Sequence, residues 1–388
     1  MASFLMLAGC MLAVLALLWI ERLAMGRIRS AIPVRIVVVG TRGKTSVTRL
    51  IAAGLRAGGL RVLAKTTGSE PRAILPTGDE KPIRRRGMTT PLEQRRILLW
   101  GANRKCDAVV IEGMSIRPES LSCELKQIIR PQRVVITNTY EDHTAETSDP
   151  AAVFAEAVPE GATVFLPSDF PDEERHQLTR KKVSTFVIDG NEALQHLEAL
   201  PTIEWPQNLA LALAVCDSVG VSVADALQGM AEVHMDVGQL GAWNVIETGS
   251  LARWMAVSGF AANDPVSTMA VLKHALKRWP AANPMVVGLL NLRRDRGDRT
   301  LQWMQALDHD ASAFDRMIVC GFVPWTVCRK LERTYGSNMA VVRSSDPQGI
   351  MRAACKLSPE GGTLFGFGNI GGAGVRMLNH WQDTGEPA

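Results

Sequence analysis

The sequence predicts an α/β protein with an N-terminal transmembrane helix, a P-loop domain on a parallel-rich sheet, and a smaller Rossmann-like α/β domain at the C-terminal end. Three observations carry this expectation. Residues 2–20 form an uncharged, apolar-biased run; a β-branched strand runs into GTRGKTS at residues 40–46; and short apolar runs alternate with helical patterns along the rest of the chain. The 388 residues exceed what one hydrophobic core usually serves. Changes in texture divide them into an anchor and juxtamembrane segment (1–30), a P-loop domain (31–240) and a C-terminal α/β domain (241–388).

The first run, Ala2 to Ile20, has nineteen residues and no charge. At 1.5 Å per residue it spans about 29 Å, the thickness of a bilayer's hydrocarbon. A cleaved signal peptide would carry basic residues before its apolar core, whereas here Arg22, Arg27, Arg29 and Arg35 follow it against the single Glu21. A buried helix of a soluble protein is the other reading. The charge asymmetry favours one membrane pass with the downstream chain, and so both later domains, in the cytoplasm, and Trp19 at the interface.

Arg35–Gly40 (RIVVVG) reads as a buried parallel strand. A helix follows with Val47, Leu50, Ile51 and Leu55 on one face, closed by Gly58 and Gly59. RVLAKTTG (61–68) reads as a strand entering a loop, and 69–91 as a long functional loop. Next come a helix near 92–100, strands at 108–113 and 133–138 around a helix at 118–129, and later strands TVFLP and STFVID. A helix covers 206–219. GQLGAWNVIETG near residue 240 reads as a linker or hairpin, and ARWMAVSGF, MVVGLL, RMIVCGF and GTLFGFG as strands of the second domain.

Composition narrows the function. With 46% hydrophobic and 21% charged residues, the chain is neither disordered nor fibrous. Aromatics at 5%, two of them Tyr, and a net charge of +4 argue against a nucleic-acid partner. The seven cysteines are scattered without a C-x-x-C, which suits a reducing compartment rather than disulfides or zinc.

The chemistry concentrates at Gly40, Thr41, Arg42, Gly43, Lys44, Thr45 and Ser46. Glycines let backbone N–H groups close on phosphate oxygens, and the following helix N-terminus adds a favourable field. Lys44 can reach the β- and γ-phosphates and the Thr45 hydroxyl can bind Mg²⁺. The strict G-x-x-x-x-G-K-[ST] pattern fails because residue 38 is Val, leaving the shorter G-T-x-G-K-T form. Glu112 and Asp142-His143 each stand just past the carboxyl end of a strand, the edge where open α/β sheets bind ligands. Taken singly, Glu112 and His143 also suit surface or cap positions. Together, Thr45 and Glu112 suit Mg²⁺, and His143 suits a second, borderline cation.

GTRGKT (40–45), VVIEGMS (109–115) and TNTYEDH (137–143) resemble the signatures of the Mur ligase superfamily, which includes folylpolyglutamate synthase. PQNLALA (206–212) is similar to its Asn-containing helix, and FAANDP (260–265) to its D-Y-A-H-N-P segment with Phe260 and Asn263 in place of Asp and His. The match is nearest to the membrane-bound ligase subunits of poly-γ-glutamate synthases, on GTRGKTSVTRLIAAGLR, AKTTGSEPRAILPTG, PIRRRG, FAANDPVST, LLNLRRDRGDRT and FGFGNIGG, and covers residues 1–375. This resemblance implies a Mur-ligase-like central domain and ATP-dependent polymerisation of glutamate. A γ-carboxylate attacks the γ-phosphate, an acyl phosphate forms, and the next amine displaces phosphate, leaving ADP and Pi. It also implies two Mg²⁺ ions, with Lys44, Glu112 and His143 catalytic, and Asn208, Asn263 and Asp264 at the nucleotide. The family's carbamoylated lysine has no clear counterpart, Lys181 and Lys182 being the nearest candidates.

Two basic segments remain. Lys81, Arg84, Arg85, Arg86, Arg95 and Arg96 face one acid, Glu93, over residues 81–96. Such a cluster suits anionic lipid, solvent, or the carboxylates of a growing polyglutamate chain. Arg293, Arg294, Arg296 and Arg299 are interleaved with Asp295 and Asp298, and suit internal ion pairs or ligand contact. One helix cannot form a pore, so export of the product implies small membrane-protein partners, and a homo-oligomer is compatible with the sequence. Two alternatives stay open: another amino-acid ligase of the folylpolyglutamate type, and a membrane-anchored P-loop NTPase coupled to export. Dependence of ATP turnover on an added amino acid separates them.

Overall fold

The computed structural model describes residues 2–388 apart from 68–70, 86–89, 116, 140–148, 201–203, 234–239, 248–251, 261, 263–264 and 310. The chain forms two compact units, Met1–His234 and Met235–Ala388.

Unit 1 begins with α1 (Ala2–Ser30), β1 (Val34–Val39), α2 (Lys44–Ala57) and β2 (Val62–Thr66). There follow β3 (Arg72–Ile74), β4 (Glu80–Pro82), α3 (Glu93–Asn103), β5 (Ala108–Glu112), α4 (Pro118–Ser122) and β6 (Arg133–Ile136). It ends with α5 (Pro150–Ala157), β7 (Thr163–Pro167), α6 (Asp172–Arg180), β8 (Ser184–Ile188), α7 (Pro206–Asp217) and α8 (Val223–Ala231). The strands form one sheet in the order β4-β3-β2-β5-β1-β6-β7-β8. It is parallel from β2 to β8, and only the β2–β3–β4 meander runs antiparallel.

The period-2 pattern of β1 explains the layering. Val37 and Val39 face one core with α3, α4 and α5, and Ile36 and Val38 face the other with α2, α7 and α8. A central parallel strand buried on both faces must be apolar there, which is why Ile36 to Val39 have no inward or outward side, while Arg35 stands at the half-buried start.

Two expectations need correction. Residues 69–91 are not wholly loop, because β3 and β4 pair as a short hairpin. Glu80 of β4 accepts a bidentate ion pair from Arg49 of α2, a side chain only 5% exposed, and Arg72 adds a contact at 3.6 Å. The stretch 118–129 is not one α-helix either. After α4 it widens into a π-helical turn, Cys123–Ile129, ended by Arg130 in the left-handed region (φ 49). The guanidinium of Arg29 donates to the carbonyls of Gln127 and Ile128 at 3.3 and 3.2 Å, and that of Arg35 to Ile129 and Arg130 at 3.2 Å. They satisfy carbonyls that a helix end leaves open.

The same contacts fasten α1. Met25 and Ile32 are buried and Ile28 packs beside them, while Glu21 pairs with Arg95 of α3 at 2.5 Å. Nearer its start α1 exposes Phe4, Met11, Leu15, Leu18 and Trp19. Residues Gly9–Ser30 are long and apolar enough to cross a membrane.

Unit 2 contains β9 (Gly241–Ile246), β10 (Arg253–Ser258), α9 (Pro265–Arg278), β11 (Val286–Leu292), α10 (Gly297–His309) and β12 (Arg316–Gly321). It continues with α11 (Trp325–Tyr335), β13 (Met339–Val342), α12 (Pro347–Leu357), β14 (Gly361–Gly368), α13 (Ala373–Thr384) and β15 (Glu386–Pro387). The sheet order is β13-β12-β11-β14-β10-β9-β15. The segment read as linker or hairpin supplies β9, one arm of an antiparallel hairpin with β10. Phe260 is fully buried and stacks on Trp381 at 6.1 Å, so the residue that departs from the family pattern is a core residue here.

Because Arg49 is buried, Glu80→Ala removes the bidentate partner of its guanidinium. We expect a loss of about 3 kcal/mol in unfolding free energy, read as a lower midpoint in thermal denaturation.

Candidate functional site

The phosphate loop connects β1 to α2, and its two neighbours in the sheet, β5 and β6, frame it. Val38 lies in register with Glu112, and Val39 with Ile136, so the strand ends arrive together. Gly40 (φ +137) and Gly43 (φ +73) adopt conformations that a side chain resists. A Cβ at residue 40 would stand 2.0 Å from the Thr137 hydroxyl, and one at residue 43 would stand 2.7 Å from Asn208 Oδ1. The loop is also tied from β6. Asn138 Oδ1 takes the Thr41 hydroxyl at 2.6 Å and the Arg42 N–H at 3.0 Å, and its Nδ2 donates to the Arg42 carbonyl at 3.0 Å. The Thr137 hydroxyl donates to the same carbonyl.

Lys44 Nζ donates to the carbonyls of Gly40 and Thr41 at 2.7 and 3.3 Å, within the loop it serves. The Thr45 hydroxyl donates to Glu112 Oε2 at 3.0 Å. That oxygen also accepts the Thr67 N–H at 2.6 Å, and Glu112 is buried. A hydroxyl and a carboxylate converging beside a phosphate cradle are hard oxygen donors, the set that Mg²⁺ takes. Among the described residues no three His, Cys, Asp or Glu side chains converge, so phosphates and water would complete the shell. Asn208 sits behind Gly43, its amide donating to Glu204 at 2.8 Å, which places it against the phosphate loop.

Beneath Glu112 lies a polar network that the sequence did not announce. Lys65 of β2 is fully buried; its ammonium meets Glu93 at 2.8 Å and Gln94 Oε1 at 3.0 Å. Gln94 Nε2 donates to Glu124 and, at 3.4 Å, to the Glu112 carbonyl. Glu124 accepts the Met114 N–H at 3.2 Å. Burial pushes the Glu124 carboxyl up to about 7, partly offset by its two donors and by Lys65. Burial likewise lowers the Lys65 ammonium, against the pull of Glu93. The one readable signal was a lysine inside the apolar strand VLAKT.

The remaining expected residues divide. Ser46 opens α2 beside Thr45. Arg84 is exposed, but the Arg85 guanidinium is already taken by Glu93 at 2.8 and 3.1 Å. In unit 2, Arg293 forms a bidentate pair with Asp295 at 2.9 and 2.7 Å, Arg299 donates to Asn369 at 3.4 Å, and Arg296 is half-buried. Their turn interlocks with the Gly-rich one through Asn291, whose amide donates to the Gly371 carbonyl at 2.9 Å. Lys181 donates to the carbonyls of Ala155 and Glu156 at 3.0 and 2.9 Å and pairs with the Glu156 carboxylate at 3.2 Å. That uses all three ammonium protons and does not suit a carbamate. Arg86, His143, Asn263 and Asp264 lie outside the described residues.

Residues 38–198 match the Mur ligase middle domain, and residues 245–384 the poly-gamma-glutamate synthase CapB C-terminal domain. The capsule biosynthesis protein CapB of Bacillus anthracis is 31% identical over 294 residues, covering 74% of this chain and 62% of that protein. The chain therefore spans less than two thirds of that relative's length. The PGA synthase CapB of Bacillus subtilis (strain 168) is 29% identical, covering 70% and 71%. Among solved structures, MurF from Acinetobacter baumannii shares the fold at a TM-score of 0.65 with 14% identity, covering 93% of this chain and 80% of that one. A folylpolyglutamate synthase/dihydrofolate synthase from Yersinia pestis, complexed with AMPPNP and Mn ion, does so at 0.62 with 13% identity, covering 93% and 92%.

Two outcomes follow from this geometry. Gly43→Ala forces a Cβ into Asn208 at a positive φ, and should lower ATP affinity by at least about tenfold in a binding titration. Glu124 binds its proton more tightly folded than unfolded, so its stabilising contribution is complete below about 4.5 and is lost as pH rises through about 7. Relative to wild type, Glu124→Gln should therefore gain on the order of 3 kcal/mol of stability between those pH values, read by denaturation at each pH.

Proposed function

We propose that this chain, whose residues 38–198 match the Mur ligase middle domain and 245–384 the CapB C-terminal domain, is an ATP-dependent ligase that polymerises glutamate into poly-γ-glutamate. The observation that carries the reading is the convergence of Thr45 and Glu112 at 3.0 Å beside Lys44 on a glycine-built phosphate loop. The CapB relatives supply the substrate class.

In this reading the γ-carboxylate of the acceptor attacks the γ-phosphate of ATP, forming a γ-glutamyl phosphate and ADP. The amine of the next glutamate then attacks the acyl carbon, and the C–O bond to phosphate breaks, releasing Pi and a proton. Both reactants are anionic, so catalysis is mainly positioning and charge neutralisation. Lys44 exchanges its loop carbonyls for the β- and γ-phosphates. The N–H groups of residues 41–46 hold phosphate oxygens at the α2 N-terminus. Thr45 and Glu112 hold a Mg²⁺ ion, which when bound offsets the repulsion between carboxylate and triphosphate. A second ion at His143 belongs to the same proposal. The exposed Arg84 supplies a cation for substrate carboxylates. The α1 helix anchors the chain in the cytoplasmic membrane with its catalytic units in the cytosol. Small membrane proteins carry the polymer across.

The test uses membranes bearing the protein, ATP and Mg²⁺, with and without L- or D-glutamate. We expect glutamate-stimulated ADP and Pi release with polymer in the same tube, reduced at least about 100-fold in Lys44→Ala and Glu112→Ala. AMP in place of ADP overturns the acyl-phosphate route. Turnover indifferent to glutamate identifies a P-loop NTPase instead.

A further inference from the structure

We propose that Lys65 is a positioning residue: its buried ammonium locks the strand end that carries Glu112 and, through Glu93, the basic segment that carries Arg85. The inference rests on the nucleotide-and-cation reading of the phosphate loop.

The argument begins with donors and acceptors. An ammonium only donates, so Lys65 at 3.0 Å fixes Gln94 Oε1 as the acceptor and turns Gln94 Nε2 the other way. Nε2 then has two acceptors, the Glu112 carbonyl and a Glu124 oxygen. The second Glu124 oxygen takes the Met114 N–H. Between these two points the Gly113 N–H completes the ladder to the Val38 carbonyl at 2.8 Å. Two consecutive peptide units, Glu112–Gly113 and Gly113–Met114, are thus held by three bonds where the strand would otherwise fray. Two of the three bonds trace back to Lys65. Without that charge the Gln94 amide can rotate, and a rotated amide presents an oxygen to the Glu112 carbonyl and to Glu124, repelling both.

The other arm is as direct. Glu93 shares its carboxylate between Lys65 and the Arg85 fork. The basic segment and the acidic strand end therefore answer to one buried cation. Glu124 lies in the π-helical turn, an irregularity that recurs at functional sites. Partners standing one step behind a metal-holding carboxylate commonly set metal affinity by 10–100-fold.

The experiment measures binding rather than turnover, on the full-length protein in detergent. A non-hydrolysable ATP analogue is titrated by calorimetry with and without Mn²⁺. For wild type we expect tighter binding with the metal. Lys65→Met should lose about tenfold of that metal-dependent gain while its metal-free affinity stays within about twofold. Should Lys65→Met fail to fold, Gln94→Met keeps the Lys65–Glu93–Arg85 pairing and breaks only the arm to Glu112, with the same expected loss. Variants that keep the full metal-dependent gain overturn the proposal. So does an equal fall in both affinities, which marks a merely structural role. Wild type that binds no analogue overturns the underlying nucleotide reading instead, a separate result.

Discussion

The phosphate loop keeps its shape because backbone presses against side chains with no room for a Cβ between them. Gly40 lies against Thr137 and Gly43 against Asn208, and each approach is closer than any other residue permits. Those contacts seat β1 beside β6 and α7 against the loop. Asn138 then finishes the job by bonding both sides of the Arg42 peptide. Once the loop is fixed, Thr45 faces Glu112, and the proposed cation-binding pair is set before any ligand arrives. Preorganisation of this kind removes reorganisation from the reaction step.

The buried network under Glu112 is costly by ordinary rules. A fully buried ammonium, the buried carboxyl of Glu124 and the half-buried carboxylate of Glu93 face a desolvation penalty that their attraction only repays with full hydrogen bonding. Here the bonding is nearly complete. Lys65 has two acceptors, Gln94 uses both ends of its amide, Glu93 is shared by two cations, and Glu124 takes two donors. Apolar replacements would serve packing equally well, so the retention of charge fits a demand for orientation.

The sequence exposed the parts of this molecule whose physics is local. The phosphate loop, the strand ends at Glu112 and Thr137-Asn138, and the alternation of strands with helices were all legible, because each is set by a short run of residues. What stayed hidden depends on distant pairs. Arg85 reads as a free cation until Glu93 is found beside it; Gln94 and Glu124 have no periodicity to mark them. β13 was missed because four half-buried residues carry little pattern. β3 and β4 were missed because three-residue edge strands with Arg, Glu and Lys look like loop. The π-helical turn escaped because its apolar positions still fit an α-helix over one turn. Phe260 was read through a family pattern, whereas its ring fills the core above Gly366.

The mounting of α1 carries a mechanical consequence. Only residues 31–33 separate the helix end from β1, and Ile32 among them is fully buried. There is no swivel. Whatever grips the outer part of α1 also fixes the bearing of the sheet, and the six residues of β1 act as a rigid standoff of about 20 Å between that grip and the phosphate loop. The phosphate-loop edge points away from the end of α1. Under the proposed function, a polymer leaving that edge of an α1-anchored chain would double back along the flank of unit 1 to reach the bilayer.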